Sequence, residues 1–217
     1  MKVSVIVATF GEERWHAKAL ARAVPSIDAQ TFRPHDILVI HGRTLAQARN
    51  AGAAEAEGDW LCFLDADDEL EPGYLAAMAA ALDVWAADSY TGEHGHGPEV
   101  LLVPAVRYVE ERRVMRVGEP RVLNDGRPLI DINRAVIGTL ITRSLFDEAG
   151  GFAEWPIYED WALWLRCETL GATLVDVPDA VYRAYRRPVS RNTHNASAHR
   201  YYDEIRSAEI ALREGRA

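Results

Sequence analysis

Within its first 90 residues the chain alternates three times between a short apolar run and a longer helical pattern. The apolar runs span residues 3–8, 37–40 and 60–64. The helical patterns span residues 13–30, 44–58 and 72–86. Runs this short are typical of buried strands, and strand followed by helix, repeated, predicts a doubly wound and mostly parallel sheet. The expected fold class is therefore α/β, Rossmann-like, with helices flanking the sheet.

Each of the three predicted strands ends in a polar segment: residues 9–12, 41–44 and 65–68. Open sheets of this class bind ligands beyond the carboxyl ends of their strands, so we expect these segments to share one rim. The helix that follows the second segment begins with Thr44, and Gln47 stands three residues later in the spacing of a capping box.

The second half of the chain is less regular. Its predicted strands cover residues 99–108, 113–117, 135–142, 173–177 and 180–185. Its predicted helices cover residues 144–149 and 159–170, followed by a helical tail over about 196–214. With 217 residues and no internal repeat or linker, one domain is expected.

Charge and cysteine usage narrow the classes of function. The net charge of -9 argues against passive binding to nucleic acid or to an anionic membrane. Cys62 and Cys167 lie in apolar surroundings, which favours two buried thiols over a disulfide. The N-terminus lacks the long apolar region of a signal peptide, and no run reaches about 18 apolar residues. We therefore expect a soluble, cytoplasmic protein.

Two acidic motifs suggest chemistry. Asp65, Asp67 and Asp68 crowd the end of a predicted buried strand, where like charges repel. A divalent cation would relieve that repulsion, and carboxylate oxygens suit Mg²⁺ or Mn²⁺, which also bind phosphate. The alternative is that Asp67 or Asp68 only caps the next helix.

The second motif is Glu159-Asp160, in the first turn of a predicted helix, where the helix dipole favours the ionised form. Asp160 shares one helical face with Leu163, Trp164 and Cys167, and that face is otherwise apolar. A carboxylate at the head of an inward face suggests the floor of a cleft. Capping by either acid is the alternative.

The order and spacing of these motifs resemble the family 2 glycosyltransferases of the GT-A fold over nearly the whole chain. The segments that carry the resemblance are residues 3–10, 48–52, 63–68, 145–152, 159–166 and 185–187. The resemblance implies a single GT-A domain over residues 1–217. A nucleotide-binding half (1–88) would be followed by a smaller acceptor and catalytic half (99–190) and a helical tail (191–217).

The implied function is an inverting, metal-assisted glycosyltransferase that moves a sugar from a nucleoside-diphosphate donor to an acceptor hydroxyl. The implied catalytic residues are Asp160, as general base, and Glu159. The donor contacts are Thr9, Phe10, Glu12, His41, Arg49, Asp65, Ala66, Asp67 and Arg187. The candidate ligands of Mn²⁺ or Mg²⁺ are Asp67, Asp65 and His194. The candidate acceptor contacts are Gly151, Phe152, Trp155 and Trp161.

The chain departs from the family pattern at two places. His41 stands where the family has an aspartate that recognises the nucleobase of the donor. A helix–strand unit is also missing after the second strand. The identity of the donor nucleobase is therefore left open. His194 is the nearest candidate for the histidine that completes the metal shell, and an ordinary loop residue is its alternative.

Residues 180–200 carry five arginines and no acid. This segment either closes over the diphosphate, with Arg187 and Arg191 on phosphate, or holds an anionic acceptor, or pairs with acidic neighbours.

Two other classes of protein compete with the active transferase. One is a weakly catalytic nucleotide-sugar-binding module on a GT-A scaffold, suggested by the missing unit. The other is a nucleotidyltransferase, but that class carries a glycine-rich phosphate loop near the N-terminus, and residues 9–13 do not form one. Sugar, acceptor and oligomeric state are left open by the sequence.

Overall fold

The computed structural model describes residues 1–91, 99–110, 116–186 and 197–216. The strands in these residues are β1 (Val3–Phe10), β2 (Asp36–Gly42), β3 (Trp60–Asp65), β4 (Glu69–Leu70), β5 (Val100–Glu110), β6 (Arg116–Val117), β7 (Leu140–Thr142) and β8 (Thr173–Arg186). The helices are α1 (Arg14–Ala21), α2 (Ala23–Asp28), α3 (Leu45–Glu55), α4 (Tyr74–Thr91), α5 (Arg143–Ala149), α6 (Glu159–Thr169) and α7 (Ala198–Arg216).

One sheet joins both halves of the chain, in the order β2-β1-β3-β7-β5-β8-β4, with β6 paired to β5. The first three strands are parallel, as predicted. Strand β7 runs antiparallel to both β3 and β5, while β5 and β8 are parallel. The fold class predicted from the sequence is therefore confirmed.

The register of the parallel strands aligns their carboxyl ends. Thr9 lies opposite His41 on one side of β1, and Ala8 lies opposite Asp65 on the other. The three polar segments therefore meet at one edge of the sheet, which is where the sequence predicts the site.

Helix α3 is fixed at both its start and its middle by residues that the sequence pattern marks. Thr44 is the N-cap, and its hydroxyl accepts from the Gln47 amide at 3.1 Å. Further along, Gly52 allows α3 to lie directly on β1, because a Cβ there would stand 2.4 Å from the Ile6 side chain. This close packing brings Arg49 of the same helix under the rim.

Three predicted elements need correction. The helix expected over residues 13–30 is divided into α1 and α2, because the Pro25 ring cannot share a helix with the Ala21 carbonyl four residues earlier. The strand expected over residues 135–142 is only β7, since the Thr139 amide bonds the Val136 carbonyl in a turn. The strands expected at 173–177 and 180–185 form one strand, β8, whose register against β5 shifts between Pro104 and Ala105.

The core lies on both faces of the sheet and contains both cysteines as buried free thiols, as predicted. Near the site it is aromatic: the Phe152 ring lies edge-on to Phe63 at 4.8 Å and to Trp164 at 6.5 Å. Among the helices that the structure describes, none has the length and apolar character needed to cross a membrane.

Candidate active site

A buried arginine joins the two acidic motifs. Arg49 Nη2 lies 2.7 Å from Asp65 Oδ1, and Arg49 Nη1 lies 2.9 Å from Glu159 Oε1. The Arg49 and Glu159 side chains are each 3% exposed, whereas Asp65 is 34% exposed. Two carboxylates from opposite halves of the chain are thus held by one guanidinium.

The charge on this bridge is maintained by its partners. Burial lowers the pKa of Arg49, but Asp65 and Glu159 outweigh that effect, so its pKa is raised above the ordinary value. The planar guanidinium can address two carboxylates at once, which an ammonium cannot do with the same geometry. The sequence points to Arg49 as a donor contact. In the structure its guanidinium spans Asp65 and Glu159.

The loop after β3 is anchored by Asp68. Its carboxylate accepts from the Tyr182 hydroxyl and from the Tyr185 amide, both at 2.8 Å. Burial, with Asp65 nearby, raises the pKa of Asp68 to about 8. Asp68 therefore ties the loop to β8 and is not the helix cap that the sequence left as an alternative.

Asp67 lies in the same loop and is half-buried, while Ala66 is buried. The Asp67 carbonyl accepts from Arg22 Nη1 at 2.9 Å, and the Arg22 guanidinium stacks 3.7 Å from the centre of the Tyr185 ring. Sequence reasoning missed Arg22, because nothing in its local pattern shows that the break between α1 and α2 brings it to this loop.

The two acids that open α6 differ in their surroundings. Glu159 is buried and paired with Arg49. Asp160 is half-buried, and its Oδ1 accepts from the Trp161 amide at 2.8 Å. Burial, followed by the charge of Glu159, raises the pKa of Asp160 to about 6. Leu163, Trp164 and Cys167 are buried, so the predicted inward face is confirmed.

The predicted donor contacts on the first two strands lie together at the rim. Thr9 is buried, and its hydroxyl lies 3.0 Å from Nδ1 of the exposed His41. Phe10 is half-buried. Glu12 is exposed and pairs with Arg14 at 2.7 Å.

The described residues hold no cluster of three or more metal-ligating side chains. Asp65 and Asp67 are the candidate metal ligands within the described part of the chain, and His194 and Arg187 lie outside it. Two carboxylates suit Mg²⁺ or Mn²⁺, because such ions take their remaining ligands from water and substrate phosphates. The donor set is therefore compatible with the predicted ion.

The glycine pair after α5 is fixed to α3. The Asn50 amide donates to the Phe152 carbonyl at 2.9 Å, and the Phe152 amide donates back to Asn50 Oδ1 at 2.9 Å. Gly151 has a φ of 69°, and a Cβ there would stand 2.8 Å from Asn50 Oδ1. The turn thus requires glycine at this position.

The predicted acceptor contacts differ in burial. The Phe152 ring is buried in the aromatic core, so its side chain does not reach an acceptor. Trp161 is also fully buried and its indole donates to the Leu129 carbonyl at 2.8 Å, but its ring lines a depression beside the first turn of α6. Trp155 differs from both, because it is half-buried and lies edge-on to Tyr201 at 6.3 Å.

Comparison with known proteins relates the chain to a known class of enzyme. Residues 29–103 match the model of the glycosyl transferase family 2. The uncharacterized glycosyltransferase YwdF of Bacillus subtilis (strain 168) is 25% identical in an alignment of 200 positions that covers 76% of this chain and 68% of the relative. These sequence matches confirm the predicted resemblance and the glycosyltransferase class.

Solved structures agree in fold. S. aureus TarS has a TM-score of 0.66 at 18% identity, covering 97% of this chain and 40% of that one. TarS 1-349 in complex with UDP has a TM-score of 0.64 at 18% identity, and in complex with UDP-GlcNAc 0.61 at 16%. This chain covers 65% and 66% of those two structures. The likeness shows the GT-A fold.

Proposed function

We propose that this chain, a glycosyltransferase similar to family 2, transfers a sugar from a nucleoside-diphosphate donor to an acceptor hydroxyl with inversion at the anomeric carbon. The observation that carries the proposal is the Arg49 bridge between Asp65 and Glu159. This bridge brings the Asp65 motif, expected at the donor diphosphate, and the Glu159-Asp160 motif, expected to supply the general base, into one site. TarS has been solved with UDP and UDP-GlcNAc, so uridine donors are the first to test.

Asp160 is proposed as the general base. An acid with a pKa of about 6 is ionised at neutral pH, yet accepts a proton more readily than an ordinary aspartate does. The acceptor oxygen would attack the anomeric carbon on the face opposite the diphosphate. The new carbon–oxygen bond forms, the bond to the diphosphate breaks with its electron pair, and the hydroxyl proton passes to Asp160.

Inversion is favoured by the role of the neighbouring acid. A retaining reaction by double displacement needs a second carboxylate as nucleophile. Glu159 is buried and already paired with Arg49, so it serves to fix the site rather than to attack the sugar. A single attack by the acceptor accounts for the arrangement without a covalent intermediate.

Asp67, with Asp65, is proposed to hold Mn²⁺ or Mg²⁺. A bound divalent ion would stabilise the negative charge that develops on the leaving diphosphate. Arg49 orients Asp65 through their 2.7 Å ion pair, and Arg22 and Asp68 hold the loop that carries Asp67.

The test is a thermal-shift screen of nucleoside diphosphates with and without Mn²⁺, followed by donor turnover and NMR of the first product anomer. Ligand binding to the native state raises the melting temperature by mass action. We expect a Mn²⁺-dependent shift that Asp67→Asn removes while the fold survives, and a product of inverted configuration. A nucleotide shift of equal size in the variant would contradict the metal role, and a retained anomer would contradict inversion.

A further inference from the structure

A depression of about 420 Å³ lies beside the first turn of α6 and shares Trp161 with the candidate active site. Its walls come from the segment before β7, from the residue preceding α6 and from the start of α7. Its lining includes Asp131, Asn133, Tyr158, Trp161, His199 and Tyr202. We call it the Tyr158 pocket. Its volume lies in the range of pockets that hold small molecules.

Aromatic rings form a fixed wall of this pocket. The Tyr202 ring stacks on Trp161 with centroids 4.4 Å apart and planes 11° apart. The Tyr158 ring stands edge-on to both, at 6.1 Å from Trp161 and 6.2 Å from Tyr202. Trp161 is itself held by its bond to the Leu129 carbonyl. Tyrosine offers an apolar ring with a polar tip, which suits a ligand that has both apolar C–H faces and hydroxyls.

Polar groups surround the rings. The Asn133 oxygen accepts from the Ala135 amide at 3.3 Å, which orients a side chain that also carries two N–H donors. Asp131 pairs with Arg206 at 3.0 Å, so the carboxylate on the rim is balanced by a cation. His199 adds an exposed imidazole. A lining of amide, imidazole and a neutralised carboxylate favours a neutral hydroxylated ring over an anion.

The backbone of Tyr158 links the pocket to the base. Among the described residues, Tyr158 is the one non-glycine with a positive φ, at 63°. L side chains rarely adopt this conformation, and strain of this kind gathers at functional sites. Tyr158 directly precedes Glu159 and Asp160 in the chain. A ligand that contacts the Tyr158 ring therefore lies beside the first turn of α6, which carries the proposed base.

We propose that the Tyr158 pocket binds a neutral sugar ring of the acceptor, so that the acceptor is a saccharide. This inference rests on the proposed function, because it assigns the pocket to the acceptor of that reaction. Tyr158 and Tyr202 pack against the ring faces, and Asn133 and His199 bond its hydroxyls.

The probes are the methyl glycosides of glucose, galactose and N-acetylglucosamine, with glucose 6-phosphate as an anionic comparison, observed by saturation-transfer NMR on the wild-type chain. At least one neutral glycoside should bind, and Asn133→Ala and Tyr158→Ala should each weaken it about tenfold, the worth of one hydrogen bond or aromatic contact. Tyr158→Phe, which keeps the ring, should bind normally. Arg33→Ala, at an exposed position after α2 whose guanidinium donates to the Asp28 carbonyl and which does not line the pocket, serves as the control.

Three results would overturn the inference: no neutral glycoside binds, the phosphorylated probe binds better, or Asn133→Ala and Tyr158→Ala bind as the wild type does. Asn133→Ala keeps the test decisive if Tyr158→Ala does not fold. Donor hydrolysis by the wild type, measured without any glycoside, tests the proposed function separately. Its absence alongside glycoside binding would reject the transferase proposal, whereas its presence without binding would reject the pocket alone.

Discussion

The loop after β3 and the first turn of α6 both hold neighbouring acidic side chains, but by different contacts. Each presents neighbouring acids, and in each one acid is buried and anchored while another is only half-buried. In the loop, Asp68 is bonded by Tyr182 and Tyr185, and Asp67 is half-buried. In the helix, Glu159 is paired with Arg49, and Asp160 is half-buried.

The difference lies in the anchor. The loop is held by neutral donors, a hydroxyl and an amide, whereas the helix is held by a buried cation that also reaches Asp65. Removing a hydrogen bond between a neutral donor and an acid lowers the free energy of unfolding less than removing one partner of a buried ion pair does. We therefore expect the first turn of α6 to be more sensitive to substitution than the loop.

The largest effect is expected at Asp160. Asp160→Asn removes the proposed base without changing its shape, so kcat for donor turnover should fall by about 10² to 10⁴. Donor affinity, measured by calorimetry, should stay close to that of the wild type, because the base acts on the acceptor.

Glu159→Gln is the matched control. Its amide oxygen can still accept from Arg49, so kcat should fall by less than about tenfold, while stability falls by about 1–3 kcal/mol through the lost charge-assisted bond. If the two variants changed places, with Glu159→Gln inactive and Asp160→Asn active, the assignment of anchor and base would be reversed.

The next effect is expected at Arg49. Arg49→Met leaves Asp65 and Glu159 buried or half-buried without their cation, which should cost about 3–5 kcal/mol of unfolding free energy. Urea denaturation measures that loss. Arg49→Lys keeps the charge but cannot span both carboxylates with a planar fork, so it should recover only part of the stability. Full recovery by lysine would mean that charge alone holds the bridge.

The smallest effect is expected at Asp68. Asp68→Ala leaves the Tyr185 amide and the Tyr182 hydroxyl without their acceptor and should destabilise the chain by about 1–3 kcal/mol. Asp68→Asn should be nearly neutral, because its amide oxygen can accept from Tyr185 and the Tyr182 hydroxyl can rotate to accept from its NH₂. Urea denaturation measures both variants. If Asp68→Ala lost more unfolding free energy than Arg49→Met, the expected difference between the two anchors would be wrong.

The sequence predicts the first half of the fold well because its strands are short, β-branched and buried, and because the Thr44 cap acts locally. It predicts the second half less well. Strand β7 pairs for only three residues because a turn at Val136–Thr139 precedes it, and the continuity of β8 depends on its pairing with β5. Neither feature is marked by a pattern in the neighbouring sequence.

The site shows the same limit. The acidic motifs, their shared rim and the inward face of α6 follow from spacing. Which acid is anchored depends on Arg49, Tyr182 and Tyr185, which reach the site from distant parts of the chain. The burial of Phe152 and Trp161 likewise depends on tertiary packing, since an aromatic residue beside a site is equally typical of core and of ligand platform.

The pH dependence of donor turnover tests the central claim, that Asp160 is the base in a site fixed by Arg49. Its raised pKa means that Asp160 loses its proton, and becomes able to accept one, as the pH rises through about 6. Turnover should therefore rise about tenfold per pH unit below this value and then level off. In Asp160→Asn the remaining rate should be low and should lack this limb. A wild-type profile without a limb near pH 6, or the same limb persisting in Asp160→Asn, would contradict the account.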